Sequence, residues 1–203
     1  MTSDVLGIIL QRLVPPQINV RSLQSAIHVL KDIEGMSPAS IGNIVYSDVA
    51  LSPCTAAASV ELLKENRLKL EKLEVVMIGH SEIVGKPIAF LLMAEGATVT
   101  VCHHMTRSVA MHSRRADAVV VAVGCPNFLT PDMIRPGAAD IDIGIDQIPD
   151  AAGVTQIVGD ADTGAVKEGA GWITLMPGGM GPVTVAILLR NAHASFRRQK
   201  QAG

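Results

Sequence analysis

From Leu73 onward the chain repeats one motif, a short and mostly apolar run that stops on glycine or histidine. Residues 73–78 stop at Gly79, 97–102 at His103, 118–123 at Gly124 and 138–143 at Gly144. Runs of this length, rich in β-branched residues, predict strands buried on both faces. Between them the spacing predicts helices over 87–94 and 108–115 and a helical turn over 131–134. Residues 171–175 predict a fifth strand, 177–182 a tight turn, and 184 to about 198 a last helix. Strand and helix alternating in this way predict an α/β fold with a doubly wound parallel sheet.

The first third is less regular. Residues 6–10 form a short apolar run that predicts a strand, and Pro15-Pro16 stops any regular element. Leu23, Ala26, Ile27 and Leu30 have helical spacing, predicting a helix over 20–30. Gly35 and Pro38 break it, and a loop is expected from there to Pro53. Thr55 is the expected N-cap of a helix over 56–67, with Val60, Leu62 and Leu63 as its apolar stripe.

Composition narrows the function classes. Hydrophobic residues make up 48% and charged residues 18%, yet no run approaches the length of a membrane span. A net charge of -2 and 2% aromatics exclude a broad basic surface or stacking platform for nucleic acid. The basic run Arg197-Arg198-Gln199-Lys200 suits the negative end of a helix dipole. Cys54, Cys102 and Cys125 are scattered, without metal spacing, so no metal is expected. Free thiols and an N-terminus without a basic, apolar leader pattern point to the cytoplasm.

Ligands of such sheets lie beyond the carboxyl ends of the strands, here residues 79–87, 103–106, 124–126 and 144–146. The first, GHSEIVGKP, follows a strand and opens a helix, whose N-terminus suits a pyrophosphate. It differs from G-x-G-x-x-G, and a turn needing glycine for geometry alone fits it equally well. Adjacent residues on a strand point to opposite faces, so His103-His104 reads as a solvated strand end, not a chelate. His28, His112 and His193 fall in helical patterns and read as surface or half-buried structure. Cys102 and Cys125 read as small buried hydrophobes. Asp140 and Asp142 share one face of a buried strand, and at least one is expected to face a polar cleft. Asp160 and Asp162 are expected to satisfy loop backbone.

Five segments carry a family resemblance. GHSEIVGKP resembles the G-R-S-x-I-V-G-x-P motif of the methylenetetrahydrofolate dehydrogenase/cyclohydrolase family, and ATVTVCHHMT resembles its A-T-V-T-x-C-H-S-x-T. PGGMGPVTVAILLRN is similar to P-G-G-V-G-P-M-T-x-x-x-L-x-x-N, GIILQRLVPP to G-I-L-V-Q-L-P-L-P, and KDIEG to K-D-V-D-G. They fall in family order. The resemblance implies a Rossmann-like domain that binds NADP or NAD, over residues 56–182. It also implies the remaining part of a smaller folate-side α/β domain over 1–55, and a helix over 183–203 returning toward it.

The implied reaction is hydride transfer from 5,10-methylenetetrahydrofolate, with hydrolysis of the methenyl product to 10-formyltetrahydrofolate. By the same resemblance Gln11 and Asp32 are catalytic on the folate side, and Glu34, Gly181 and Thr184 bind substrate. The implied cofactor residues are Gly79, His80, Ser81, Ile83, Val84, Gly85, Cys102, His104, Thr106, Gly124 and Ile143. Tetrahydrofolate derivatives are the implied partners, and a homodimer the implied assembly.

Several positions depart from the pattern. The family's Tyr-x-x-x-Lys helix, whose lysine is central to catalysis, has no counterpart: Tyr46 is the only tyrosine and Ala50 stands four residues later. Losing such a group commonly costs about a hundredfold or more, so a nucleotide-binding relic or a fragment is the alternative reading. Glu34 replaces an aspartate, Ala56 and Ala58 replace proline and glycine, and Leu175-Met176 replace Pro-Val. His80 and His104 stand where the family places an arginine and a serine around the 2′-phosphate. Neutral imidazole offers one donor where arginine offers a charged fork, so preference for NADP is expected to weaken toward NAD. Arg107, in the same loop, could compensate.

Overall fold

The computed structural model describes residues 4–12, 14–149 and 153–202. Residues 1–3 and Leu13, on which the readings of the N-terminus and of GIILQRLVPP partly rest, lie outside them. Two short helices, α1 (Val20–Ala26) and α2 (Pro38–Val45), flank a 3-10 turn at Val29–Lys31 and lead to α3 (Cys54–Glu65). Alternation then begins: β1 (Glu74–Ile78), α4 (Gly85–Ala94), β2 (Thr98–Cys102), α5 (Val109–Ser113), β3 (Ala118–Val121) and, after a 3-10 turn, β4 (Ala139–Asp142). A hairpin of β5 (Asp146–Pro149) and β6 (Thr155–Val158) precedes α6 (Thr163–Val166), β7 (Trp172–Ile173) and the long α7 (Met180–Ala202).

The main sheet runs β2-β1-β3-β4-β7, and every pair in it is parallel. Residue alternation divides the core into two layers. Val75, Met77, Ala118, Val120 and Ile141 pack under α3, α4 and α7. Val76, Ile78, Val119 and Val121 face the opposite side, with Val109, Leu129, Ile134 and Val166. All of β3 is buried, which is why its four residues are apolar without alternation. Ala56 and Ala58 are fully buried in the first layer, where their small side chains fit between helices.

The N-terminal segment is held by polar ties from α7. Asn191 Nδ2 donates to the carbonyls of Ile33 (3.0 Å) and Ser52 (2.9 Å). Gln199 Nε2 reaches those of Leu6 (2.7 Å) and Leu30 (3.0 Å), and Ser195 Oγ bridges the same two.

Several expectations are corrected. Residues 6–10 make a single parallel bridge, Ile8 with Asp32, because Leu10 N–H goes to the Glu34 carboxylate and the Leu6 carbonyl to α7. The loop expected before Pro53 contains α2, started by Ser37 Oγ accepting from Ser40 N–H and by Pro38 in its first turn. The helix expected over 20–30 divides at Ile27, where His28 Nδ1 caps the 3-10 turn. Thr55 is not a cap: α3 begins at Cys54, behind Pro53. The last helix begins at Met180, so Gly181 and Pro182 lie in its first turn, where proline is tolerated.

Neither Asp140 nor Asp142 faces a polar cleft, since both are fully buried. Asp142 is surrounded by backbone donors, but neither oxygen of Asp140 has a hydrogen-bond partner. Burial, with the Asp142 charge adding to it, pushes the Asp140 carboxyl well above the ordinary range. An acid whose folded pKa is raised costs stability once pH exceeds its unfolded value near 3.9. The cost grows until pH passes the raised folded value. Asp140→Val is therefore expected to stabilise the protein by about 1–3 kcal/mol at neutral pH. Urea unfolding at several pH values checks this: wild type should lose stability from pH 4 upward more steeply than the variant.

Candidate functional site

Strand order reverses between β1 and β3, and in doubly wound sheets the crevice outside the carboxyl ends at such a point receives the ligand. The residues here meet at very short range. Gly79 has φ +124, and a Cβ on it would lie 2.2 Å from the Ala122 carbonyl oxygen. A Cβ on Gly85 would lie 2.2 Å from the Gly79 oxygen. Glycine at both positions lets the chain leave β1, cross the turn after β3 and enter α4 directly. Ser81 Oγ accepts from Val84 N–H (3.1 Å) and Gly85 N–H (3.4 Å), fixing the start of α4. Gly79, Ser81, Val84 and Gly85 thus form one turn. Gly124, at φ +66 with open space beyond its Cα, faces the crevice end of β3.

The turn after β3 is shaped by carboxylates. Asp160 accepts from the N–H groups of Val123 (2.6 Å), Gly124 (3.1 Å) and Cys125 (2.7 Å). Asp142, the last residue of β4, accepts from Gly144, Asp160 and Ala161 N–H at 2.9, 2.9 and 3.0 Å. Burial raises the Asp142 carboxyl, and these three donors oppose the shift. A Cβ on Gly159 would overlap the Asp142 carboxylate, and one on Gly144 would sit 2.5 Å from Asp160 Cγ. Asp160 therefore satisfies loop backbone, as expected, and Asp162 caps α6 by accepting from Ala165 N–H. The role of Asp142 was legible only as the pattern D-x-G followed by G-D, which sequence reasoning did not join.

At the end of β2, Cys102 is buried, and burial pushes its thiol up, leaving it a poor nucleophile. Cys125, expected to be buried, is exposed on the loop that Asp160 holds. Thr106 Oγ1 accepts from His103 N–H (2.9 Å), and His103 Nδ1 accepts from Met105 N–H (3.2 Å). His103 and His104 lie in this turn, not on a strand, so the alternation argument does not govern them. The His103 ring stacks on His80 at 4.5 Å, and His104 stands 5.9 Å from His103 and 6.4 Å from His80. Among the described residues no His, Cys, Asp and Glu cluster is arranged to hold a metal.

Ile83 is half-buried on the wall of a cleft of about 500 Å³ between α1, α2 and the start of α4. Met36, Ile41 and Phe90 also line it. Ile143 is half-buried under the helix layer. On the N-terminal side Gln11 is exposed, its amide donating to the Arg12 carbonyl (2.9 Å). Asp32 is buried and accepts from Ser37 N–H (2.6 Å) and Ser40 Oγ (2.7 Å), so it anchors the start of α2. Glu34 is the half-buried carboxylate of this segment. Burial raises its pKa and nearby Asp32 adds to this, against the hydrogen bond from Leu10 N–H. Gly181 is exposed at the start of α7, and Thr184 Oγ donates to the Met180 carbonyl (3.0 Å).

These contacts fit a dinucleotide: a glycine crossing at the switch point, a helix start facing it, and an open glycine across the crevice. Gly79→Ala must push Cβ into the Ala122 carbonyl at a φ that alanine avoids. It is expected to cost about 2–4 kcal/mol, read by urea unfolding, and to abolish titratable binding of NADP and NAD.

Residues 53–200 match the tetrahydrofolate dehydrogenase/cyclohydrolase, NAD(P)-binding domain. Bifunctional protein FolD 3 of Roseobacter denitrificans is 74% identical over 200 residues, 98% of this chain and 69% of that protein. Bifunctional protein FolD of Rhodobacter capsulatus is 73% identical over 98% of this chain and 67% of its own length. The Trypanosoma brucei N5,N10-methylenetetrahydrofolate dehydrogenase-cyclohydrolase, solved with NADP and an inhibitor, superposes with a TM-score of 0.89. It is 37% identical, over 95% of this chain and 67% of that one. The chain therefore belongs to the tetrahydrofolate dehydrogenase/cyclohydrolase family.

Proposed function

We propose that this chain oxidises 5,10-methylenetetrahydrofolate to 5,10-methenyltetrahydrofolate with NADP or NAD, and that hydrolysis to 10-formyltetrahydrofolate follows. The observation that carries the reading is the Gly79–Gly85 crossing at the carboxyl edge of β1, in a chain of this family. When bound, NADP or NAD would supply the hydride acceptor for the one-carbon bridge. The helix start at residues 81–85 offers its dipole to the pyrophosphate, and Gly124 leaves room for the dinucleotide to cross β3. Glu34, which accepts from the N–H of Leu10, and the exposed amide of Gln11, next to Leu10 in the chain, supply the polar groups for the pterin. Where positive charge develops on the folate, a partly desolvated carboxylate stabilises it more than water does. Asp32 acts through α2 and is assigned to positioning.

In this reading residues 1–55 form the folate side, 56–182 the dinucleotide domain and 183–203 the helix joining them, with Gly181 and Thr184 at the joint. The setting is the cytoplasm, and no helix among the described residues is long and apolar enough to cross a membrane.

The test is methenyl formation by the purified 203-residue chain, with calorimetric titration of each cofactor. Turnover is expected, read as cofactor-dependent appearance of methenyltetrahydrofolate and then of 10-formyltetrahydrofolate. Glu34→Ala should lower kcat/KM by about tenfold or more. Cofactor binding without turnover would favour the relic reading instead.

We also propose a homodimer. Leu6 (49% exposed), Ile9 (50%) and Leu189 (68%) leave apolar surface on the N-terminal segment and α7. Light scattering after size exclusion should give twice the chain mass of 21.3 kDa. A monodisperse monomer would overturn it.

A further inference from the structure

The segment after β4 completes the crevice edge of the sheet and carries one ionisable side chain, Asp146, at the start of β5. Asp146 pairs with Val158 of β6, two residues before Asp160. Gly144, two residues the other way, lies so close to Asp160 that a Cβ on it would stand 2.5 Å from Asp160 Cγ. The Asp146 side chain comes within hydrogen-bonding reach of the Asp160 carboxyl. Its Oδ2 is closed off from solvent, and no donor among the described residues meets it. An ionised carboxylate accepts hydrogen bonds and donates none, so two of them in this position repel. One proton between them turns the repulsion into a charge-assisted O–H···O bond, roughly twice as strong as a neutral one. Three backbone N–H groups already point at Asp160, which is therefore the acceptor of the pair. Asp146 is the donor.

We propose that Asp146 is a positioning residue for the dinucleotide: as a neutral acid it donates to the Asp160 carboxylate and so holds the turn at residues 123–125 against the crevice. The proposal rests on the dinucleotide reading above. Burial, the Asp160 charge and the contact with it all push the Asp146 carboxyl up from the ordinary carboxylate value, the direction this arrangement needs. The other ionisable groups around the pair give it no counter-charge. Asp142, at the end of β4, is a third carboxyl, pushed up by burial and further by Asp160, against its backbone donors. Cys125 meets Asp160 through its backbone N–H, and Asp162, before α6, is turned to Ala165 N–H. No lysine, arginine or histidine among the described residues shifts Asp142 or Asp146. Because its folded pKa is raised, Asp146 keeps its proton at low pH and loses it as pH rises through that folded value. Ionised Asp146 repels Asp160, loosens the tie between the β5–β6 hairpin and the turn, and adds negative charge where a pyrophosphate would cross β3. Affinity for NADP and NAD alike then falls as pH rises.

Two comparisons on the whole chain test this, with Asp146→Asn as an isostere that donates at every pH and Asp146→Ala as loss of the tie. In urea unfolding, the stability of Asp146→Asn relative to wild type should be lowest at about pH 4 and grow with pH to a plateau, because only wild type has this proton to lose. A difference that stays flat from about pH 4 to about pH 9 overturns the acid pair. In isothermal titration, NADP and NAD should each bind wild type about threefold or more weakly at the top of that rise than at its foot, the size of one hydrogen bond. Asp146→Asn should show no such fall, and Asp146→Ala should bind weakly by the same factor at both pH values. A residue that only braced the fold would shift unfolding and leave the pH profile of binding unmoved. Equal binding profiles for wild type and Asp146→Asn, with both cofactors bound, overturn the positioning role and leave the dinucleotide reading intact. Failure of both cofactors to bind at any pH overturns that reading and the positioning role with it, while the unfolding comparison decides the acid pair in either case.

Discussion

Two buried carboxylates, Asp142 and Asp160, shape the edge of the sheet on which everything functional depends. Each accepts three backbone N–H bonds, so between them they satisfy six donors in loops that have no ladder of their own. A carboxylate removed from water is costly, and several fixed donors are what make its burial tolerable. The exchange also benefits the loops, since each donor left bare in the interior would cost about 1–3 kcal/mol. Asp142 holds Asp160, Asp160 holds residues 123–125, and the Ala122 carbonyl just before them sets how closely the first turn can approach. Asp140, two residues earlier on the same face, lacks any such donors and is a cost without a return.

The close approach of the first turn follows from that arrangement. With the β3 turn fixed, the chain leaving β1 can pass only as backbone without a side chain, which explains Gly79 and Gly85 together. The same compactness brings the start of α4 and the end of β2 to one side of the crevice. Three histidines from two turns therefore become neighbours, although 23 residues separate His80 from His103.

The N-terminal segment is organised on a different principle. It has almost no sheet of its own, and α7 substitutes for one by presenting Asn191, Ser195 and Gln199 to four of its carbonyls. These are contacts between residues 139 to 193 positions apart, each worth about 1 kcal/mol net. Asp32 adds a local anchor for α2, and that leaves Glu34 half-exposed in the segment.

Sequence alone determined the parallel sheet, because strands covered on both faces must be apolar throughout, and such runs are visible without any neighbour. It also determined the family, since five motifs in order survive whatever the packing does. Shorter elements were not legible. The start of α2 depends on Ser37 and Pro38, a signal read as a loop, and β5 and β6 are stabilised by pairing with each other more than by any pattern of their own. Residues 6–10 are apolar enough for a strand, but their backbone donors and acceptors are taken by Glu34 and α7, which no local pattern reveals. The same limit applies at the site. Asp32 and Glu34 are two residues apart and chemically alike, yet burial and the position of α2 made one an anchor and left the other available. Only tertiary structure could decide that, because it depends on which donors arrive from elsewhere in the chain.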